Sequence, residues 1–149
     1  YENVDSYGEL QRFDMAAVMK ESYINADIID SSDTDVISAG DFEKKRVCTQ
    51  FPYGWECTKG EGKLEIKAEF QNLGILYFAT TNGLGGQYDV YVDGEYAGTI
   101  NADFSGGWGN AIKAKQVYIS DSSAEHTITI KKSPDSTGDL FDLLGLLVS

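Results

Sequence analysis

Residues 63–70 alternate without exception: Leu64, Ile66, Ala68 and Phe70 on one parity, Lys63, Glu65, Lys67 and Glu69 on the other. A period of two is the signature of a strand with one face buried and one wet. It excludes a helix here, because a 3.6-residue period would scatter these side chains around the axis. The next run, 73–79, is almost continuously apolar and reads as a second, central strand covered on both faces, with Asn72 and Gly74 at the junction.

The same period recurs downstream. Tyr88, Val90 and Val92 alternate with Asp89 and Tyr91, the chain reverses at Asp93-Gly94, and residues 96–100 return. Asp-Gly supplies the positive φ angles of a type I′ hairpin turn. Ile112 and Ala114 share one parity while Val117 and Ile119 have the other, which predicts a bulge near Lys115-Gln116. His126, Ile128 and Ile130 alternate with Thr127, Thr129 and Lys131, and residues 140–148 close the domain as a buried strand. Residues 9–23, with Leu10, Phe13 and Ala17, read as a short helix or an irregular segment. Turn signals every 8–12 or so residues and the lack of alternating helices predict an all-β antiparallel sandwich. The 149 residues suit a single module of this kind.

Charge narrows the partners. The net charge is −12, so a phosphate backbone would be repelled, and nucleic-acid binding is excluded as an expectation. No apolar run approaches the roughly 20 residues needed to span a bilayer as a helix. Residues 1–43 hold 11 acidic and 2 basic side chains, so the excess belongs to an acidic N-terminal segment expected to pack onto the sandwich. Within it Asp30, Asp33 and Asp35 put three carboxylates in six residues, the hard-oxygen chemistry Ca²⁺ prefers; a solvated turn is the alternative. The chain begins at Tyr1 with neither Met nor an apolar leader, as expected of a mature secreted piece or a module of something longer.

Cys48 and Cys57 flank eight residues that include Pro52 and Gly54. A zinc site would need further Cys or His, and His126 is the single histidine. The choice is between a disulfide clasping the loop in an oxidising compartment and two unrelated thiols, and the clasp is the expectation.

A catalyst is hard to find. There is no Gly-x-Ser-x-Gly elbow, Walker loop, dinucleotide fingerprint or HExxH helix. His126 has core parity and reads as a structural histidine. Paired carboxylates of a small glycan-active hydrolase stay open, since 24 acidic residues would offer a pair in almost any fold. Binding features are clearer. Phe51-Pro52-Tyr53-Gly54-Trp55 and Phe104-Ser105-Gly106-Gly107-Trp108-Gly109-Asn110 set large aromatics among residues too small to bury them. Sugar rings stack their C–H faces on such planes while Asn side chains take the hydroxyls. Trp108, Trp55, Tyr53, Asn110 and Asn82 are the candidate sugar-binding residues; Tyr91 and Tyr118, off core parity, offer a sheet face instead. A structural or adhesion module, whose aromatic loops meet a partner domain, is the rival.

Three stretches carry a resemblance: residues 88–96 (Tyr-Asp-Val-Tyr-Val-Asp-Gly-Glu-Tyr), 124–130 (Ala-Glu-His-Thr-Ile-Thr-Ile) and 143–149 (Leu-Leu-Gly-Leu-Leu-Val-Ser). Together they resemble the second half of non-catalytic jelly-roll domains, found in bacterial carbohydrate-binding modules of the family 6 and 35 type. Similar domains precede the catalytic part of family 2 and related SGNH carbohydrate esterases. The resemblance covers roughly residues 62–149. It implies a two-sheet jelly roll, often with a structural calcium, secreted and appended to a catalytic or scaffold domain that it tethers to plant cell-wall polysaccharide (β-glucan, mannan or xylan). The Gly-Asp-Ser block of the esterase nucleophile is absent, so an accessory domain without catalysis is implied. No site residue is carried over from the family.

Overall fold

The computed structural model describes residues 27–31, 33–48, 53–105 and 107–149. The segment 9–23 and the Phe51-Pro52 part of the first aromatic loop lie outside them. Among the described residues there are nine strands and no helix: β1 Asp27–Asp30, β2 Asp35–Ser38, β3 Glu43–Lys45, β4 Gly54–Cys57, β5 Lys63–Ala79, β6 Gln87–Val92, β7 Glu95–Asn101, β8 Ala111–Lys132 and β9 Phe141–Val148. All pairs of named strands are antiparallel.

The two long strands organise the rest. β5 and β8 pair from Lys63↔Lys131 to Ala79↔Ala111, with breaks in register at Phe70/Asn72 and Leu73/Gly74. Before the breaks β5 has β2 on its free side, while β8 continues to β6 and β7; after them β5 pairs with β9, which pairs in turn with β4 and β1. The ribbon thus serves both layers of a β-sandwich. Leu64, Ile66 and Phe70 from one half, and Leu73, Ile75 and Tyr77 from the other, fall into one buried cluster with Tyr88, Val90, Ile128, Ile130, Phe141, Leu143 and Leu146. Each such side chain contributes about 1.5–3 kcal/mol on burial.

The expectation of two separate strands at 63–70 and 73–79 is corrected: they are one strand of 17 residues. Asn72 sits just after the first break in register, tied to the chain end. Its N–H donates to the Ser149 carbonyl at 3.1 Å, its own carbonyl accepts from Ser149 N at 3.2 Å, and its side-chain amide donates to Ser149 Oγ at 3.0 Å. Other readings hold. Asp93 and Gly94 have φ of 51° and 85°, as a type I′ turn requires. The register of β8 skips Val117, one residue from the expected bulge. β9 is buried along its whole length, since Leu144 and Leu147 join Leu76 in a second cluster on the outer face of its layer.

Two further expectations meet the register directly. Of the acidic segment 1–43, β1 and β2 are strands of the layers themselves, on β9 and β5. The Cys48–Cys57 clasp is not formed. Glu43↔Glu56 and Lys45↔Gly54 put Cys57 at one end of the β3–β4 hairpin, while the chain reaches Cys48 beyond the other. Cys57 is a buried thiol whose Sγ donates to the Lys59 carbonyl at 3.1 Å.

Candidate functional site

Three connections meet at one end of the sandwich: residues 80–86, the described residues 102–105 and 107–110, and residues 133–140. Backbone bonds tie them together. Thr80 N donates to Ala102 O (3.0 Å), Phe104 N to Thr80 O (2.8 Å), Gly86 N to Leu140 O (2.8 Å) and Leu140 N to Leu84 O (3.0 Å). Glycine permits this closeness: a Cβ on Gly85 would stand 2.3 Å from the Ala102 carbonyl oxygen. Local side chains then stiffen each loop. Asn82 Oδ1 accepts from Thr80 Oγ1 (3.0 Å) and Leu84 N (2.9 Å), and Asn110 Oδ1 accepts from Thr81 N at 3.0 Å. Asp103 Oδ1 accepts from Ser105 N at 3.1 Å, an Asx turn at the head of the tryptophan loop.

Trp108 stands on this base with 91% of its surface exposed. Beneath the loop, Gly107 lies against the Phe104 ring, where a Cβ would come within 2.5 Å. The Lys113 ammonium sits 3.6 Å from the Phe104 ring centre, a cation–π contact that holds the ring. Leu84, 59% exposed, adds apolar surface on the neighbouring loop. A large indole kept in water on a braced support, with amide groups nearby, offers chemistry that could meet a ligand with both an apolar face and hydroxyls.

The five expected residues divide. Trp108, Asn110 and Asn82 come together, with the two amides bracing the loops through their oxygens. Trp55 and Tyr53 do not join them. β4 is three strands from β8 in the order β4-β9-β5-β8, about 14 Å at the usual strand spacing. Trp55 is opposite Leu143, packs against the main core, and donates from Nε1 to Thr34 Oγ1 at 3.2 Å. Tyr53 is half exposed, with Lys44 Nζ 5.7 Å from its ring centre. Tyr118 packs on Phe70 and His126 instead of forming a platform, whereas Tyr91 and Tyr96 meet edge-on at 5.9 Å. Thr81, Leu84 and Lys113 were not foreseen; nothing in their local sequence marks contacts that exist only once the loops meet.

His126 lies away from this end. Its Nδ1 is 2.5 Å from Asp93 Oδ2 in the β6–β7 turn, its ring packs at a tilt against Phe70, and its buried Nε2 has no partner. The His126 bond, aided by the Thr127 N–H, holds the Asp93 carboxyl below its ordinary range. The three aspartates of the expected calcium site open and close the β1–β2 turn, where Asp33 N donates to Asp30 O at 2.9 Å. Among the described residues no three carboxylate, cysteine or histidine side chains are gathered in a group that could hold a metal ion.

No family model matches the chain, and no curated protein matches its sequence. Solved structures do match its fold. A two-domain esterase active on acetylated mannans superposes with a TM-score of 0.70 at 17% identity, over 85% of this chain and 36% of that one. The CBM36-1 domain of a multidomain xylanase from the hindgut metagenome of Trinervitermes trinervoides superposes at 0.56 and 16% identity, over 84% of this chain and 97% of that one. The C-terminal CBM6 of LamC, a marine laminarinase from Zobellia galactanivorans, gives 0.53 and 15%, over 84% and 99%. The fold is the jelly roll of these modules. The chain spans about a third of the two-domain esterase and nearly the whole of each binding module.

Proposed function

We propose that this chain is a non-catalytic carbohydrate-binding module that holds an uncharged plant cell-wall polysaccharide of the β-glucan, mannan or xylan type on the Trp108 end of the sandwich. The observation that carries this reading is the 91% exposed indole on loops rigidified by hydrogen bonds and glycine contacts. A surface tryptophan costs solubility, and a braced one loses little entropy on binding. Among the fold relatives, the esterase acts on acetylated mannans and the two modules belong to a xylanase and a laminarinase, which supports the polysaccharide class. An extracellular bacterial setting and appended catalytic or scaffold domains belong to the same proposal. The rival hydrolase needs two carboxyls in reach of a glycosidic bond. The adjacent pair Glu56 and Asp142 does not serve, because Asp142 is 3% exposed.

Affinity electrophoresis against soluble glucans, mannans and xylans tests the reading. Retardation by at least one, lost in Trp108→Ala, is expected. Retardation by none would move the Trp108 end to a partner-domain contact, and release of reducing sugar would establish an enzyme.

A further inference from the structure

On the outer face of the β9 layer the register sets two carboxyl groups side by side. Glu56 of β4 is opposite Asp142 of β9, and Glu43 of β3 is opposite Glu56. Asp142 is 3% exposed and its Oδ1 has no hydrogen-bond partner. On its other side β5 offers Phe78, which has nothing to donate. The single cation facing the pair among the described residues is Lys45 of β3, 3.2 Å from Glu56 Oε1 and 4.0 Å from Glu43 Oε2. Among the described residues the charged groups around Asp142 are therefore Glu56, Lys45 and Glu43, all on one hairpin, and the apolar cluster on this face includes Leu76, Leu144, Leu147 and Val47.

Two neighbouring carboxylates in so dry a place repel, and one proton between them removes the repulsion. Burial first, then the hydrogen bond and charge of Glu56, push the Asp142 carboxyl up to about 8, with Lys45 opposing. We propose that Glu56 and Asp142 share one proton that latches the β3–β4 hairpin to β9, and that its loss to solvent at mildly alkaline pH loosens β4. The Trp108 end takes no part, so this inference and the binding reading stand or fall separately.

Trp55 lies on β4 beside Glu56 and reports the latch. In a Trp108→Phe background its fluorescence, followed from pH 5 to 10, is expected to change with a midpoint near 8. The transition should vanish in Asp142→Asn. It should move down by a unit or more, with smaller amplitude, in Glu56→Gln, which removes the like charge. No transition in the parent, the same midpoint in Asp142→Asn, or an unmoved midpoint in Glu56→Gln would overturn the proposal; the last also serves if Asp142→Asn fails to fold.

Discussion

The two tryptophans show how one residue type takes opposite roles. Trp55 has its indole N–H bonded to Thr34 and its ring against the core, so Trp55→Ala should cost about 2–3 kcal/mol, somewhat below the range for a fully buried tryptophan. Trp108 has 91% of its surface in water, so Trp108→Ala should leave stability within about 0.5 kcal/mol while weakening polysaccharide binding by about 1–3 kcal/mol. Urea unfolding together with affinity electrophoresis checks both. Equal stability losses for the two variants would contradict the assignment. Sequence could not separate them, because both stand in runs of glycine and aromatic residues, and only cross-strand register shows that Trp55 shares a face with Leu143.

At the scale of elements, periodicity was a dependable guide and junctions were not. The alternation at residues 63–70, the Asp93-Gly94 turn and the Val117 bulge are local consequences of side-chain parity, so they were legible. The continuity of β5 was hidden because Asn72 takes its bonds from Ser149, at the far end of the chain. The clasp failed for a like reason: eight residues fit a hairpin loop, but the register placed Cys57 at the end of β4 away from the loop. Cys57 should accordingly resist Ellman's reagent in the folded protein and react on unfolding; reaction at the rate of an exposed thiol would contradict its burial. The β6–β7 turn has a pH dependence of its own. Asp93 has its carboxyl held low, so its contribution is present above its ordinary pKa of 3.8 and is lost as pH falls through the lower folded value. Asp93→Asn should flatten the acid side of a plot of Tm against pH between 2 and 5. An unchanged acid limb would contradict the His126–Asp93 contact.

For the molecule as a whole, the antiparallel sandwich was visible in the spacing of strands and turns and the jelly roll only in the family resemblance, while the working end was half visible. The aromatic loop announced Trp108, while its support depends on Thr81, Gly85 and Lys113, which meet the loop through long-range packing. The net charge of −12 acts at this scale too. It disfavours polyuronates and leaves uncharged glycans unaffected, so retardation by a neutral polysaccharide should hardly change between about 10 and 300 mM salt, over which the Debye length falls several-fold. A steep loss with salt would show ionic binding instead. The central claim, that the Trp108 end takes the sugar, is tested most directly by amide chemical-shift mapping with an oligosaccharide of the retarding polysaccharide. Shifts confined to Thr81, Leu84, Trp108, Asn110 and their neighbours are predicted; shifts centred on Tyr91 and Tyr96, or on Trp55, would contradict it.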